Sequence, residues 1–309
     1  MKKSSIITAS IIGIIVLSLI LIFLNNERVS PAGEDTKEES YTENRVSIAT
    51  FKEDKIPLLD DEALKLDNNS VANLILSIGH EVDADRTYGI IILQDYIQSS
   101  FYYEHNLIND ILKLEVEPNS INDLSLSIKV HPDTVEIVVL IVRDPDDFVK
   151  ELDFEKLFYY EQLYSKRYIV EGAELSNLDV KYDEPQYIYN NAGDLTPIFF
   201  SDNRKKKNLI SSIKENKMAY LQMNSPFEDN EMTYAVIAFE NWKQSNLNGK
   251  EILHINTPVN ETYVYELKTS DVQEDTNLQF IAFPYPYEFW DDRYAFKVEQ
   301  SIRTVVEPN

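Results

Sequence analysis

Cysteine is absent from the 309 residues. That excludes a disulfide framework, a thiolate metal centre, a cysteine nucleophile and a lipid-modified cysteine anchor. Glycine is scarce, with seven residues in the chain. No P-loop, no G-x-G-x-x-G fingerprint and no G-x-S-x-G nucleophile elbow occurs. Histidine is confined to His80, His105, His131 and His254, and His80-Glu81 lacks the second histidine of a zinc-protease helix. Basic residues are outnumbered 53 to 29, leaving a net charge of −24. Such a surface repels phosphates, so nucleic acid is not expected as a partner.

What is plentiful points to strands. Apolar residues make up 43% of the chain, with 19 Tyr and 14 Phe, enough for a sizeable core rich in residues that favour pleated surfaces. One long uncharged run stands out, Ile6–Leu24, IITASIIGIIVLSLILIFL. As a helix it would span roughly 28 Å, the thickness of a bilayer core. Lys2 and Lys3 precede it, and residues 25–50 hold six acids against three bases. The expected organisation is a short cytoplasmic segment (1–5), a transmembrane signal-anchor (6–24) and a flexible acidic tether (25–45), with the rest of the chain outside the cell. A cleaved signal peptide ending near Ser30-Pro31-Ala32 is the alternative.

Internal similarity organises the remainder. TYGIIILQDYIQS, from Thr87, recurs as TYAVIAFENWKQS from Thr233, an offset of 146, with Thr, Tyr, Ile, Gln and Ser identical at 87/233, 88/234, 91/237, 98/244 and 99/245. Asp95 is matched by Asn241 and Tyr96 by Trp242. Further anchors follow in order: Asp54–Leu59 with Asp194–Phe199 and Pro118 with Pro258 at offset 140, Val135–Pro145 with Asn277–Pro286 at about 141, and Ser165–Glu171 with Ser301–Glu307 at 136. This pattern predicts a duplication, with one module at 46–172, a linker at 173–185 and a second module at 186–309.

Period-two alternation in LKLEVE and LSLSIKV, with turn signals such as His131-Pro-Asp133 between runs, predicts strands in both halves. The fold class expected is mainly β: two tandem immunoglobulin-like β-sandwich modules, with a jelly roll as the alternative. One or two short helices are expected, over Val149–Tyr164, where Leu152, Leu157, Tyr160 and Tyr164 share a face, and over Arg204–Lys217. The signal-anchor and the paired TYGIIILQDY and TYAVIAFENW strands resemble, in general design, the anchored ectodomains with immunoglobulin-like repeats of Gram-positive bacteria. The resemblance carries no functional residue with it.

Candidate chemistry is sparse. Phe283-Pro-Tyr285-Pro-Tyr287-Glu-Phe289-Trp290 fills the slot held by VRDPDDF in the first half, so Tyr285, Tyr287, Phe289 and Trp290 are the expected ligand-binding residues of an exposed aromatic loop. Rings covering the end of a sandwich or the junction between modules are the plainer reading. Asp144, Asp146 and Asp147 at a strand end are the expected ligands of a calcium ion, although no EF-hand spacing is present. Arg204-Lys-Lys-Lys207 is a basic run in an acidic chain, suited to an anionic wall polymer or lipid headgroups. No catalytic residue emerges. The function expected is a non-enzymatic, membrane-anchored binding or scaffolding protein of the bacterial cell envelope, whose partner is another envelope protein or a wall or carbohydrate polymer. An envelope hydrolase with an unrecognised carboxylate site and the ectodomain of a membrane sensor are the alternatives.

Overall fold

In the computed structural model the described residues are 45–309, without 60–61, 157–162, 175–177, 179, 191–195, 228 and 289–296. The expected membrane span at 6–24 and the tether up to residue 44 lie outside them. Among the described residues no helix is long and apolar enough to cross a membrane.

The first half contributes ten strands: β1 (Arg45–Phe51), β2 (Val71–Glu81), β3 (Arg86–Gln94), β4 (Ile97–Ser99), β5 (Phe101–Tyr103), β6 (Asn106–Ile108), β7 (Leu112–Val116), β8 (Ser120–Lys129), β9 (Glu136–Arg143) and β10 (Leu163–Ile169). They form a first outer sheet in the order β1-β2-β8-β5-β6 and a first inner sheet in the order β10-β9-β3-β4, with β7 also paired to β3. The second half contributes β11 (Tyr187–Asn190), β12 (Ile198–Ser201), β13 (Ser212–Lys214), β14 (Met218–Asn224), β15 (Met232–Glu240), β16 (Lys243–Ser245), β17 (Leu253–Thr257), β18 (Glu261–Lys268), β19 (Thr276–Pro284), β20 (Glu299–Gln300) and β21 (Thr304–Glu307). These make a second outer sheet, β11-β18-β14-β12, and a second inner sheet, β13-β21-β19-β15-β16, to which β17 and β20 are added.

Alternation on the outer sheets explains their place. In β2 and β8, Leu74, Leu76, Leu124 and Leu126 point inward, while Asn73, Ser77, Ser125 and Ser127 face away. The inner sheets do not alternate, because both of their faces are covered. In β3, Tyr88, Ile90 and Ile92 join the core shared with the first outer sheet. The intervening Ile91 and Leu93 join a different cluster. β15 divides likewise: Tyr234, Val236 and Ala238 face the second outer sheet's core, and Ala235, Ile237 and Phe239 face the other way.

That other cluster joins the two inner sheets. Ile91, Leu93, Tyr96, Val138, Leu140 and Val142 come from one side; Ala235, Ile237, Phe239, Trp242, Ile281 and Phe283 come from the other. At roughly 1.5–3 kcal/mol per fully buried large side chain, this junction represents on the order of 20 kcal/mol of transfer free energy before ordering costs. The described strands therefore stack as four layers with three cores. Gly89 permits close packing there: a Cβ would sit 2.4 Å from Ile111 Cδ1 and 2.7 Å from Val142 Cγ2, so those side chains would have to shift.

One helical expectation is corrected, and the other falls partly outside the described residues. Of Val149–Tyr164, only residues 154–156 form a helical turn among the described residues, and β10 begins at Leu163. Pairing with β9 places Leu163 and Tyr164, the end of the expected helix, in β10 instead. Arg204–Lys217 forms no helix. Asn203 Oδ1 accepts the backbone N–H groups of Lys205 and Lys206, Ser201 Oγ accepts that of Asn208, and β13 then pairs parallel to β21. Such side-chain acceptors compete with helix formation.

Candidate functional site

Buried titratable side chains converge at the junction. β3 and β4 are joined by Asp95-Tyr96, and β15 and β16 by Asn241-Trp242. All four residues have positive φ: 49° and 67° in the first turn, 47° and 66° in the second. That is the two-residue hairpin geometry matching strand twist, and Asp and Asn suit its first position. A bulky aromatic at the second position is strained by about 1–3 kcal/mol. Both turns accept that strain and deliver a ring into the junction cluster.

Around Tyr96 the site is ionic. Glu136 and Arg167 are both buried, and Arg167 Nε donates to Glu136 Oε1 at 2.7 Å. Tyr96 OH donates to Glu136 Oε2 at 2.7 Å, and Arg167 Nη2 donates to Tyr96 OH at 2.7 Å. The Tyr287 backbone N–H donates to Glu136 Oε2 at 3.1 Å. Burial disfavours the Arg167 charge, but the Glu136 carboxylate and Tyr96 hydroxyl outweigh it and hold its pKa above the ordinary value. Burial pushes the Tyr96 hydroxyl well up. Asp95 is raised by burial, opposed by the backbone N–H groups of Glu136 and Val135 that its carboxylate accepts. His254, whose ring lies 6.1 Å from that of Tyr287, is lowered by burial.

Arginine also stitches the halves together. Arg167 donates to the carbonyls of Pro284 (2.7 Å) and Tyr285 (3.2 Å). Arg303 donates to those of Arg143 and Asp144, the latter at 2.6 Å. Gln98 and Gln244 exchange bonds: each side-chain oxygen accepts the other's backbone N–H, at 2.5 and 2.6 Å. Gln98 Nε2 donates to Trp242 O and Gln244 Nε2 to Tyr96 O. Gln98 and Gln244 are visible in the sequence as identities, as are Arg167 and Arg303. Their role as bridges between the halves is not, because sequence similarity marks positions without saying what faces them.

The expected site residues fall as follows. Tyr285 and Tyr287 are not on an exposed loop; both are half-buried, Tyr285 against the second-half core and Tyr287 edge-on to Tyr96 at 5.3 Å. Their hydroxyls are shifted up by burial. Pro284 and Pro286 are themselves buried, which holds this segment into the junction. Phe289 and Trp290 lie outside the described residues. Asp144, Asp146 and Asp147 do not converge on a cation site. Asp144 Oδ1 accepts the Thr87 backbone N–H at 3.2 Å, and Asp146 pairs with Lys113 at 2.5 Å. Among the described residues no group of three His, Cys, Asp or Glu side chains is placed to hold a metal ion. His80 is buried, with Nδ1 3.0 Å from Tyr88 OH and Nε2 2.8 Å from Ala84 O, a satisfied core histidine.

No family profile and no curated protein matches the chain. Among solved structures, red sea bream transglutaminase is similar at 8% identity and a TM-score of 0.23, over 86% of this chain and 31% of that one. The chain thus spans about a third of that protein's length. The Salmonella enterica SafA pilin in complex with the SafB chaperone is similar at 9% identity and a TM-score of 0.24, over 85% and 96%.

Proposed function

We propose that the chain is a non-enzymatic binding or scaffolding ectodomain of the cell envelope, carried behind the 6–24 signal-anchor. In this reading residues 46–172 and 186–309 are two immunoglobulin-like sandwich modules related by internal duplication. Reciprocal bonds support the duplication: Gln98 and Gln244, Arg167 and Arg303, and the carbonyls they reach stand at the offsets of the sequence repeat. The observation that supports a scaffolding use of the junction is how Glu136 is held. Arg167, Tyr96 and Tyr287 bond to its two oxygens from inside the junction, giving this buried carboxylate a structural use.

The test is topology followed by capture. A carboxy-terminal tag on the full-length chain should fractionate with membranes and be removed by protease added to intact cells. A tag that survives protease in intact cells but not in lysed ones overturns the envelope reading. Photo-crosslinkers placed on the outer sheets should then give a discrete, saturable adduct. Crosslinkers at junction positions should give intramolecular products only.

A further inference from the structure

The basic run Arg204–Lys207 lies over the outward face of the second outer sheet. On that face the core-pointing residues Phe200, Leu221 and Tyr265 alternate with outward Tyr187, Phe199, Tyr220 and Gln222. The Arg204 guanidinium sits 4.6 Å from the centre of the Tyr187 ring, and Lys207 Nζ 5.7 Å from that of Phe199. The loop is anchored from beneath by buried polar side chains. Ser201 Oγ donates to Lys206 O at 2.9 Å, and Gln222 Nε2 donates to Asn203 O at 3.0 Å.

This construction holds the exposed Lys205 and Lys206 outward with no ion pair among the described residues. Lysines elsewhere find acids readily: Lys52 with Glu62, Lys113 with Asp146, Lys150 with Asp275, Lys250 with Asp183. The nearby acids are committed, Asp202 to Asn208 and Glu266 to Tyr187. Arg204 and Lys207 thus brace the loop on aromatic rings, while Lys205 and Lys206 stand exposed side by side in a chain of 53 acids.

We propose that this loop and the tyrosines beside it bind a linear polyanion of phosphodiesters joined by polyol or sugar units. This deepens the envelope-binding reading and rests on it. The strongly negative chain discriminates among anions by shape. A bilayer presents its charge to the whole facing surface, whereas a thin polymer meets only a strip within about 8 Å, the screening length at physiological salt. Single-stranded nucleic acid needs open aromatic faces for its bases, and Arg204 already covers that of Tyr187. Tyr189, stacked 6.4 Å from Tyr187, extends the aromatic surface beside Arg204, against which a polyol could pack.

The full-length chain in non-ionic detergent is titrated with poly(glycerol phosphate) across a salt series. Lys205→Gln/Lys206→Gln should weaken binding at least tenfold and lower the slope of log K against log salt by about 1.4, two phosphate contacts' worth. Lys55→Gln/Lys65→Gln, removing the same charge elsewhere, should change neither. Unchanged binding in the first variant, or equal loss in the second, overturns the proposal. So does equal or tighter binding to vesicles containing 30% phosphatidylglycerol, to oligo(dT), or to inorganic phosphate alone. A negative result here, with the outer-sheet crosslinks retained, removes the ligand and leaves the envelope reading standing. Loss of the membrane topology removes that reading instead.

Discussion

The two corners of the junction share a backbone and differ in chemistry. Asp95-Tyr96 and Asn241-Trp242 take the same pair of positive φ angles, and the first residue of each caps a neighbouring strand with its side chain: Asp95 accepts the N–H of Glu136, Asn241 that of Asn277. The second residue of each sends a ring inward, with an arginine over it, Arg167 5.9 Å from the centre of Tyr96 and Arg303 4.9 Å from that of Trp242. Where the first corner has Glu136, the second has Asn277 at the 141-residue offset. The Trp242 indole then donates to Pro145 O at 2.7 Å instead of to a carboxylate. Geometry is thus common to the corners, while the Glu136 carboxylate is particular to one. The second corner closes the same junction with Asn277 in that place, so a carboxylate at this position is not needed for closure as such.

The sharpest way to break this comparison is to remove each arginine. Arg167→Met leaves the Glu136 carboxylate buried without its counter-charge and is expected to cost about 3–5 kcal/mol in chemical denaturation. Arg303→Met removes its bonds to the Arg143 and Asp144 carbonyls and its contact with the Trp242 ring, for about 1–3 kcal/mol. Adding Glu136→Gln to Arg167→Met should recover part of the loss, since it removes the uncompensated charge. Equal costs for the two arginines, with no recovery, would show that the ion pair is not what separates the corners.

A second test concerns what the corners share. Gln98 and Gln244 make matching sets of bonds: each exchanges with the other's backbone, each reaches the opposite turn carbonyl, and each donates again to a loop carbonyl, Asp110 O or Glu251 O. Gln98→Ala and Gln244→Ala should each cost about 1–3 kcal/mol, within ~0.5 kcal/mol of one another. Because they touch, the double variant should depart from additivity by about 0.5–3 kcal/mol. Markedly unequal single costs would argue that the pseudo-symmetric bonding is not energetically symmetric.

How much of this is legible in the sequence depends on where the stabilisation comes from. β2 and β8 can be read directly, since their runs are long and their alternation is enforced by one buried face. β3 and β15 are readable as strands, and their unbroken apolar centres already indicate cover on both sides. What supplies the second cover is another sheet made of the same pattern, and no local signal distinguishes that from an ordinary core. β1, RVSIATF, looks like the end of an acidic tether, yet it pairs with β2 across seven residues. Short strands such as β11 and β13 likewise owe their existence to a neighbour. The aromatic run at 283–290 suggests an exposed platform by composition, but Tyr285 and Tyr287 are half-buried, and what turns Tyr287 inward is contact with Tyr96 and Glu136, nearly 200 and about 150 residues earlier. Glu136, the residue that most distinguishes one corner, has no sequence signature at all.

The smallest expected effect is the most discriminating about Asp95. Burial raises its folded-state pKa above the ordinary value of 3.8. The native state therefore holds the Asp95 proton more tightly than the unfolded chain does. Its contribution to stability is fully present below the unfolded pKa and is lost as pH rises through the folded pKa. At neutral pH a charged Asp95 is a net cost relative to a neutral residue making the same bonds. Asn241 shows that such a residue fits this turn, its Oδ1 accepting the Asn277 N–H at 2.9 Å. Asp95→Asn should thus be neutral or slightly destabilising near pH 3 and stabilising near pH 7, by under about 1 kcal/mol. Parallel pH–stability curves for variant and parent would mean that the backbone N–H groups of Val135 and Glu136 compensate the buried carboxylate in full, and the corners would then differ only through Glu136.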